Sequence, residues 1–167
     1  MNAALRLSWY KFKHHYMDFV KVLLGIVAFE GLILYIQNKG FLDDFETTRM
    51  TLFLLLFSTS LLIVVQNSIY ISKERSVLNR DFFSGLSRSA FAFASMGIHA
   101  FFAVLETIVF ILSYSVFSKF FDKEFPDAGH IFGSYRWEVG ITVLLVFLAS
   151  HFIALFISAL VGKSEIT

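Results

Sequence analysis

The chain has 167 residues, of which 57% are hydrophobic and only 16% charged, with 22 phenylalanines, one proline and no cysteine. Soluble domains carry about half apolar and about a quarter charged residues, so this composition excludes an ordinary soluble domain and indicates an integral membrane protein; a disulfide framework and a thiolate metal site are excluded too. The formal net charge of +1 gives no reason to expect nucleic acid as a partner, because the charge is segregated by loop.

No secretory leader is legible at the start, where basic residues and aromatics alternate without a short apolar core. Residues 1–16, MNAALRLSWYKFKHHY, instead read as an amphipathic interfacial helix, with Leu5, Trp9, Phe12 and Tyr16 at helical spacing against a basic face. The first span follows at about 19–36, close to the roughly 20 residues that cross a hydrocarbon core. Lys21 is near enough to its end to snorkel, whereas Glu30 lies well inside. A short acidic loop containing Asp43, Asp44 and Glu46 leads to a second span at about 50–71. Residues 72–88 form a charged connector, and a third span at about 90–117 carries His99 and Glu106. After a loop with the single proline, Pro126, an aromatic belt of Tyr135 and Trp137 opens the fourth span at about 139–161. The expected fold is therefore all-α: a polytopic helical membrane protein of four transmembrane helices plus the N-terminal interfacial helix, forming one transmembrane domain over 1–167.

Loop charges set an expected orientation. With the N-terminus inside, nine of the fourteen Lys and Arg residues are cytoplasmic and seven of the thirteen acids are external. The positive-inside rule then places both termini and the connector in the cytoplasm, in a plasma (inner) membrane.

The connector, SKERSVLNRDFFSGLSR, is the most strongly charged run between two apolar segments. Lys73, Glu74 and Arg75 extend past the second span, Arg80 and Asp81 make another charged pair, Gly85 offers a break, and Arg88 anchors the third span. A plain positive-inside loop has the same composition; the functional reading is a surface on which a cytoplasmic machine pushes.

The residues here resemble the membrane domain of ABC exporters of the G subfamily. That family carries E-R-x-[VI]-[FL]-x-[RK]-[ED]-x-x-x-G-[LY] between its second and third spans, and Glu74, Arg75, Val77, Leu78, Arg80, Asp81, Gly85 and Leu86 match it position by position. The basic helix before the first span resembles the family's connecting helix, and FIALFISALVGKSE resembles the end of its fourth span. The resemblance implies a permease subunit whose coupling interface is Lys73, Glu74, Arg75, Arg80, Asp81, Gly85 and Arg88. It implies an ABC nucleotide-binding subunit as partner, with ATP and Mg held there and no cofactor on this chain. The family's membrane domain has six spans and four are legible here, so the resemblance also implies a second permease copy or homologue, or a chain carrying the missing spans.

Glu30, His99 and Glu106 are the intramembrane polar candidates. A carboxylate within a span costs a few kcal/mol on insertion scales, so it faces a protein interior or a water-filled path; either a substrate pathway or interhelical hydrogen bonding accounts for it. His99 and Glu106, seven apart, share a helix face. Two such residues are a weak metal signal when the other histidines stand at 14, 15, 130 and 151. Gly162-Lys163-Ser164 ends like a phosphate-binding loop, yet Ile157 stands where that loop needs glycine. No nucleophile, base and orienter set supports an enzyme. Two other classes remain open: an ion- or proton-coupled small oligomeric transporter using Glu30 and Glu106, and a non-transporting assembly or regulatory subunit.

Overall fold

Four helices in a computed structural model occupy the four apolar stretches: α1 Tyr16–Ile36, α2 Phe45–Asn67, α3 Arg88–Phe120 and α4 Tyr135–Leu160. All four are long and apolar enough to cross a membrane. The structure describes residues 16–37, 39–68, 78, 80, 82, 83, 85, 87–125, 129, 131 and 133–160, and among these no strand occurs. The expected interfacial helix over 1–16 lies outside the described residues apart from Tyr16, with which α1 begins.

Each helix is apolar around most of its circumference, as expected for a span, but one narrow stripe is turned inward. On α3 the stripe includes Phe91, Ala94, Ile98, Phe102, Glu106 and Phe110; on α4 it includes Gly140, Val143, Phe147, His151 and Ala154. On α2 it is Thr51, Leu55, Thr59 and Ile63, one residue per turn. These three- and four-residue steps keep the buried side chains on one face. The large residues of the opposite faces, among them Phe53, Phe57, Leu61, Leu112 and Phe156, are exposed, which suits contact with lipid tails.

The principal packed pairs are α1–α2, α2–α4, α4–α3 and α3–α1. They close a square in which α2 and α3, consecutive in the chain, stand at opposite corners. α1 and α3 run parallel, since the ring of Phe19 lies 4.7 Å from that of Phe102 and the ring of Tyr35 lies 6.4 Å from that of Phe121. Their close approach needs Gly31: a β-carbon there would stand 2.8 Å from the Phe117 ring. At 33 residues, α3 is about 50 Å long at 1.5 Å per residue, longer than a hydrocarbon core of about 30 Å, so it tilts or projects beyond it.

α2 starts before the apolar run because Asp44 caps it. The Asp44 backbone is extended, and its carboxylate accepts from the Thr47 N–H and the Thr47 hydroxyl, both at 3.1 Å. The Thr47 N–H, foremost, holds the Asp44 carboxyl below the usual aspartate range. A depressed folded-state value means that the cap's contribution is present above the unfolded-state value and is lost as pH falls through the lower, folded one. Asp44→Asn is expected to keep the cap and remove this acid sensitivity, and Asp44→Ala to fray the first turn at every pH. Amide exchange at Thr47 distinguishes the three proteins; identical protection in all of them would contradict the capping role.

The two loops at this end of the bundle are locked together. Phe41 is buried, with its ring 6.5 Å from that of Phe125. Phe125 in turn stacks on Tyr114 at 4.5 Å and lies 4.9 Å from Tyr135. An ion pair between Lys123 and Asp43 joins the loops directly, and the Tyr114 hydroxyl donates to the Lys123 carbonyl at 3.1 Å. Beneath this aromatic cap, between α2 and α4, is a mostly apolar cavity of about 300 Å³ bordered by Leu55, Phe110, Tyr135, Glu138 and Val143.

Candidate functional site

The inner stripes carry the polar residues of the spans. Glu30 on α1, Thr51 and Thr59 on α2, Ser95, His99, Glu106 and Thr107 on α3, and Ser150, His151 and Ser158 on α4 are all buried. Some of the hydroxyls are satisfied within their own helix: Thr59 donates to the Leu55 carbonyl at 2.6 Å, Thr107 to that of Ala103 at 2.7 Å, and Ser150 to that of Val146 at 2.8 Å. The carboxylates and imidazoles are not built that way; they reach between helices.

Two separate interhelical sets result. In the first, His151 of α4 lies between two residues of α3: its Nε2 is 2.8 Å from Glu106 Oε2 and its Nδ1 is 3.0 Å from His99 Nδ1. Glu106 and His151 are fully buried, and the Phe102 ring lies 5.7 Å from the His99 ring. In the second, Ser113 of α3 donates to Glu30 Oε2 of α1. Ser113 is seven residues beyond Glu106, about 10 Å along the helix, so the two carboxylates do not form one site. Oε1 of each has no hydrogen-bond partner among the described residues.

The expectation that His99 and Glu106 share a face holds, and the structure adds what the sequence reading set aside. His151 is the link between them. It was legible as a polar residue on the apolar stripe of α4, in step with Val143, Phe147 and Ala154, but only packing against α3 gives it partners. Ser113 had no comparable signal. Among the described residues no group of three or more metal-ligating side chains is arranged to hold an ion.

Of the connector residues, Lys73, Glu74, Arg75 and Asp81 lie outside the described residues. Arg80, Gly85 and Arg88 are described and exposed. Gly85 has φ +101 with open space about it, so its backbone angle, not crowding, favours glycine there. Its N–H donates to the Phe82 carbonyl at 3.2 Å. The Arg88 guanidinium lies 5.7 Å from the centre of the Phe82 ring, and that ring meets Phe91 of α3 edge-on at 6.0 Å. The Ser87 hydroxyl caps α3 by accepting from the Ala90 N–H at 3.5 Å. The end of the connector is thereby fastened to the first turns of α3. Leu78 is buried while Phe83 is 93% exposed, which leaves an apolar ring on the outer side of a basic segment.

Residues 5–167 match the family model of the ABC-2 type transporter membrane domain. The chain belongs to the ABC-2 transporter membrane family. No curated protein and no solved structure matches it. The ABC-2 protein is thus an integral, multi-pass membrane protein and a transporter permease component, and members of its family usually work with an ABC ATPase subunit in a lipid bilayer. That assignment agrees with a bundle that turns the carboxylates and histidines of its spans inward, Glu30, His99, Glu106 and His151, and leaves large apolar side chains such as Phe53, Phe57 and Phe156 on its outer faces.

Proposed function

We propose that this chain is the membrane-spanning permease subunit of an ATP-driven ABC exporter, coupled through residues 72–88 to a separate nucleotide-binding subunit. The observation that carries this reading is the family match over residues 5–167. ATP and Mg belong to the partner, and this chain holds no cofactor and performs no hydrolysis. The connector faces the cytoplasm together with both termini, in the plasma (inner) membrane, in keeping with the loop-charge asymmetry. A second permease copy, or a chain carrying further spans, completes the substrate path.

The square of helices supports the connector as the point of coupling. It joins α2 and α3, which stand at opposite corners of the square. Force applied there reaches α3 through the Arg88, Phe82 and Phe91 contacts and α2 through the chain itself. The functional roles of Lys73, Glu74, Arg75, Arg80 and Asp81 in this reading are those of an interface, in which charge complementarity fixes partner and register.

Pull-down of the tagged protein from its native membrane in mild detergent, with and without Arg75→Glu and Arg80→Glu together, tests the proposal. An ATPase subunit is expected with the unaltered protein and at least about tenfold less of it with the charge-reversed one, the size expected when complementary charges become repulsive. Recovery of equal ATPase with both proteins removes the connector from the interface. Absence of any ATPase from both removes ATP coupling itself.

A further inference from the structure

The set Glu106, His151 and His99 has no part in the coupling just described, and its hydrogen count has a chemical consequence. A neutral imidazole has one N–H and one bare nitrogen, yet both nitrogens of His151 are engaged, Nε2 with Glu106 and Nδ1 with His99. A neutral His151 therefore donates toward Glu106 or toward His99, never both. With a proton on Glu106, its hydroxyl donates to His151 Nε2, His151 Nδ1–H donates to His99 Nδ1, and His99 keeps its hydrogen on Nε2. Without that proton, the carboxylate accepts from His151 Nε2–H, and His151 Nδ1 accepts from His99 Nδ1–H.

We propose that Glu106, His151 and His99 form a proton-holding joint between α3 and α4, which takes up one proton per chain and reverses both of its hydrogen bonds as it does so. Discharge moves the Glu106 proton to His151 Nε2, the His151 Nδ1 proton to His99 Nδ1, and the His99 Nε2 proton out of the set. One proton leaves, and no other bond changes. Uptake retraces these steps, with the proton entering at His99 Nε2. A proton placed instead on Glu106 Oε1, which has no hydrogen-bond partner among the described residues, would leave Oε2 accepting from His151 Nε2–H and reverse neither bond, and the His151 tautomer distinguishes the two.

The joint is built across two helices, and this makes it more than a buried polar cluster. His151 belongs to α4 and its partners to α3, so any sliding of α3 past α4 breaks both bonds. Proton affinity then differs between this packing and any in which the two helices have slid apart at the joint, and by linkage the bound proton biases the balance between them. Other titratable groups do not take over this role. On α1 the buried one is Glu30, engaged by Ser113; α3 further carries Tyr114, whose hydroxyl donates to the Lys123 carbonyl; the buried residues of α2 are Thr51, Leu55, Thr59 and Ile63, and those of α4 besides His151 do not titrate. No Lys, Arg or Asp is buried among the described residues. The inference goes beyond the permease reading and does not need the ATPase.

The test is nitrogen-15 NMR of the histidine rings of the full chain in lipid nanodiscs between about pH 5 and about pH 9, alongside the infrared band of protonated carboxyl groups. The His151 signal is assigned by its loss in His151→Gln. As pH rises, His151 is expected to switch from Nδ1–H to Nε2–H at the same midpoint at which a carboxyl band is lost, in the unaltered protein and in Glu30→Gln. Both changes are expected to be absent from Glu106→Gln. The proposal is overturned if His151 keeps one tautomer throughout, if it becomes doubly protonated, or if its switch persists in Glu106→Gln. Should Glu106→Gln not insert, the Glu30→Gln protein decides: coincident midpoints sustain the joint, and midpoints apart by about one pH unit or more, or no transition at all, refute it. Both readouts come from this chain alone, so their failure leaves the permease reading standing.

Discussion

Phe125→Ala is expected to destabilise the loop-locked end of the bundle by about 3 kcal/mol, the lower part of the range for removing a buried phenylalanine. Phe125 is a loop residue, but its ring meets Phe41, Tyr114 and Tyr135, and each aromatic pair adds about 0.5–1.5 kcal/mol beyond area burial. The effect is large for a second reason. This end sits where the aromatic belt meets water, so burying a ring there is rewarded by the hydrophobic effect, whereas a ring moved within lipid gains little. Denaturant unfolding of the purified protein in detergent measures it, with Phe125→Leu expected to lose less than half as much. A loss under about 1 kcal/mol for alanine, the size of an average substitution, would show that the aromatic stack does not hold the loops.

His151→Leu is expected to cost about 1–3 kcal/mol, from two interhelical hydrogen bonds at about 0.6–1.7 kcal/mol each. The substitution leaves Glu106 in an apolar interior with neither oxygen partnered by His151, and leaves His99 Nδ1 facing leucine. Removing both members of the pair is a different matter, because apolar groups of similar size in place of donor and acceptor are nearly neutral. The double variant Glu106→Leu with His151→Leu is therefore expected to recover most of the loss. A double-mutant cycle under the same unfolding conditions isolates the coupling. Strict additivity of the two single losses would mean that the bond between α3 and α4 contributes nothing.

These two sites differ in how far the sequence disclosed them. Pattern and composition marked Glu30, His99 and Glu106 as polar residues within spans, since nothing but an apolar run surrounds them. Along the chain His151 is one of five histidines, with no local spacing to tie it to His99 or Glu106. Helical spacing relates His99 to Glu106 because that relation is local. The relation of His151 to both crosses between helices 45 and 52 residues apart in sequence, and no periodicity within one helix encodes it. Likewise, Asp44 looked like a loop acid, yet its side chain starts α2 ahead of the apolar run.

By itself, then, the sequence determined that the chain is a four-helix membrane protein, where its charges lie, and, through the connector motif, which family it resembles. These follow from local physics: hydropathy over about 20 residues, helical period and charge segregation act on neighbours in the chain. Only the tertiary structure decided that α2 and α3 stand at opposite corners, that Phe125 joins two loops, and that His151 lies between Glu106 and His99. In lipid the hydrophobic effect gives little preference to one helix partner over another, so small residues such as Gly31, ring packing and a few buried hydrogen bonds select the neighbours, and those contacts exist only once the helices have come together.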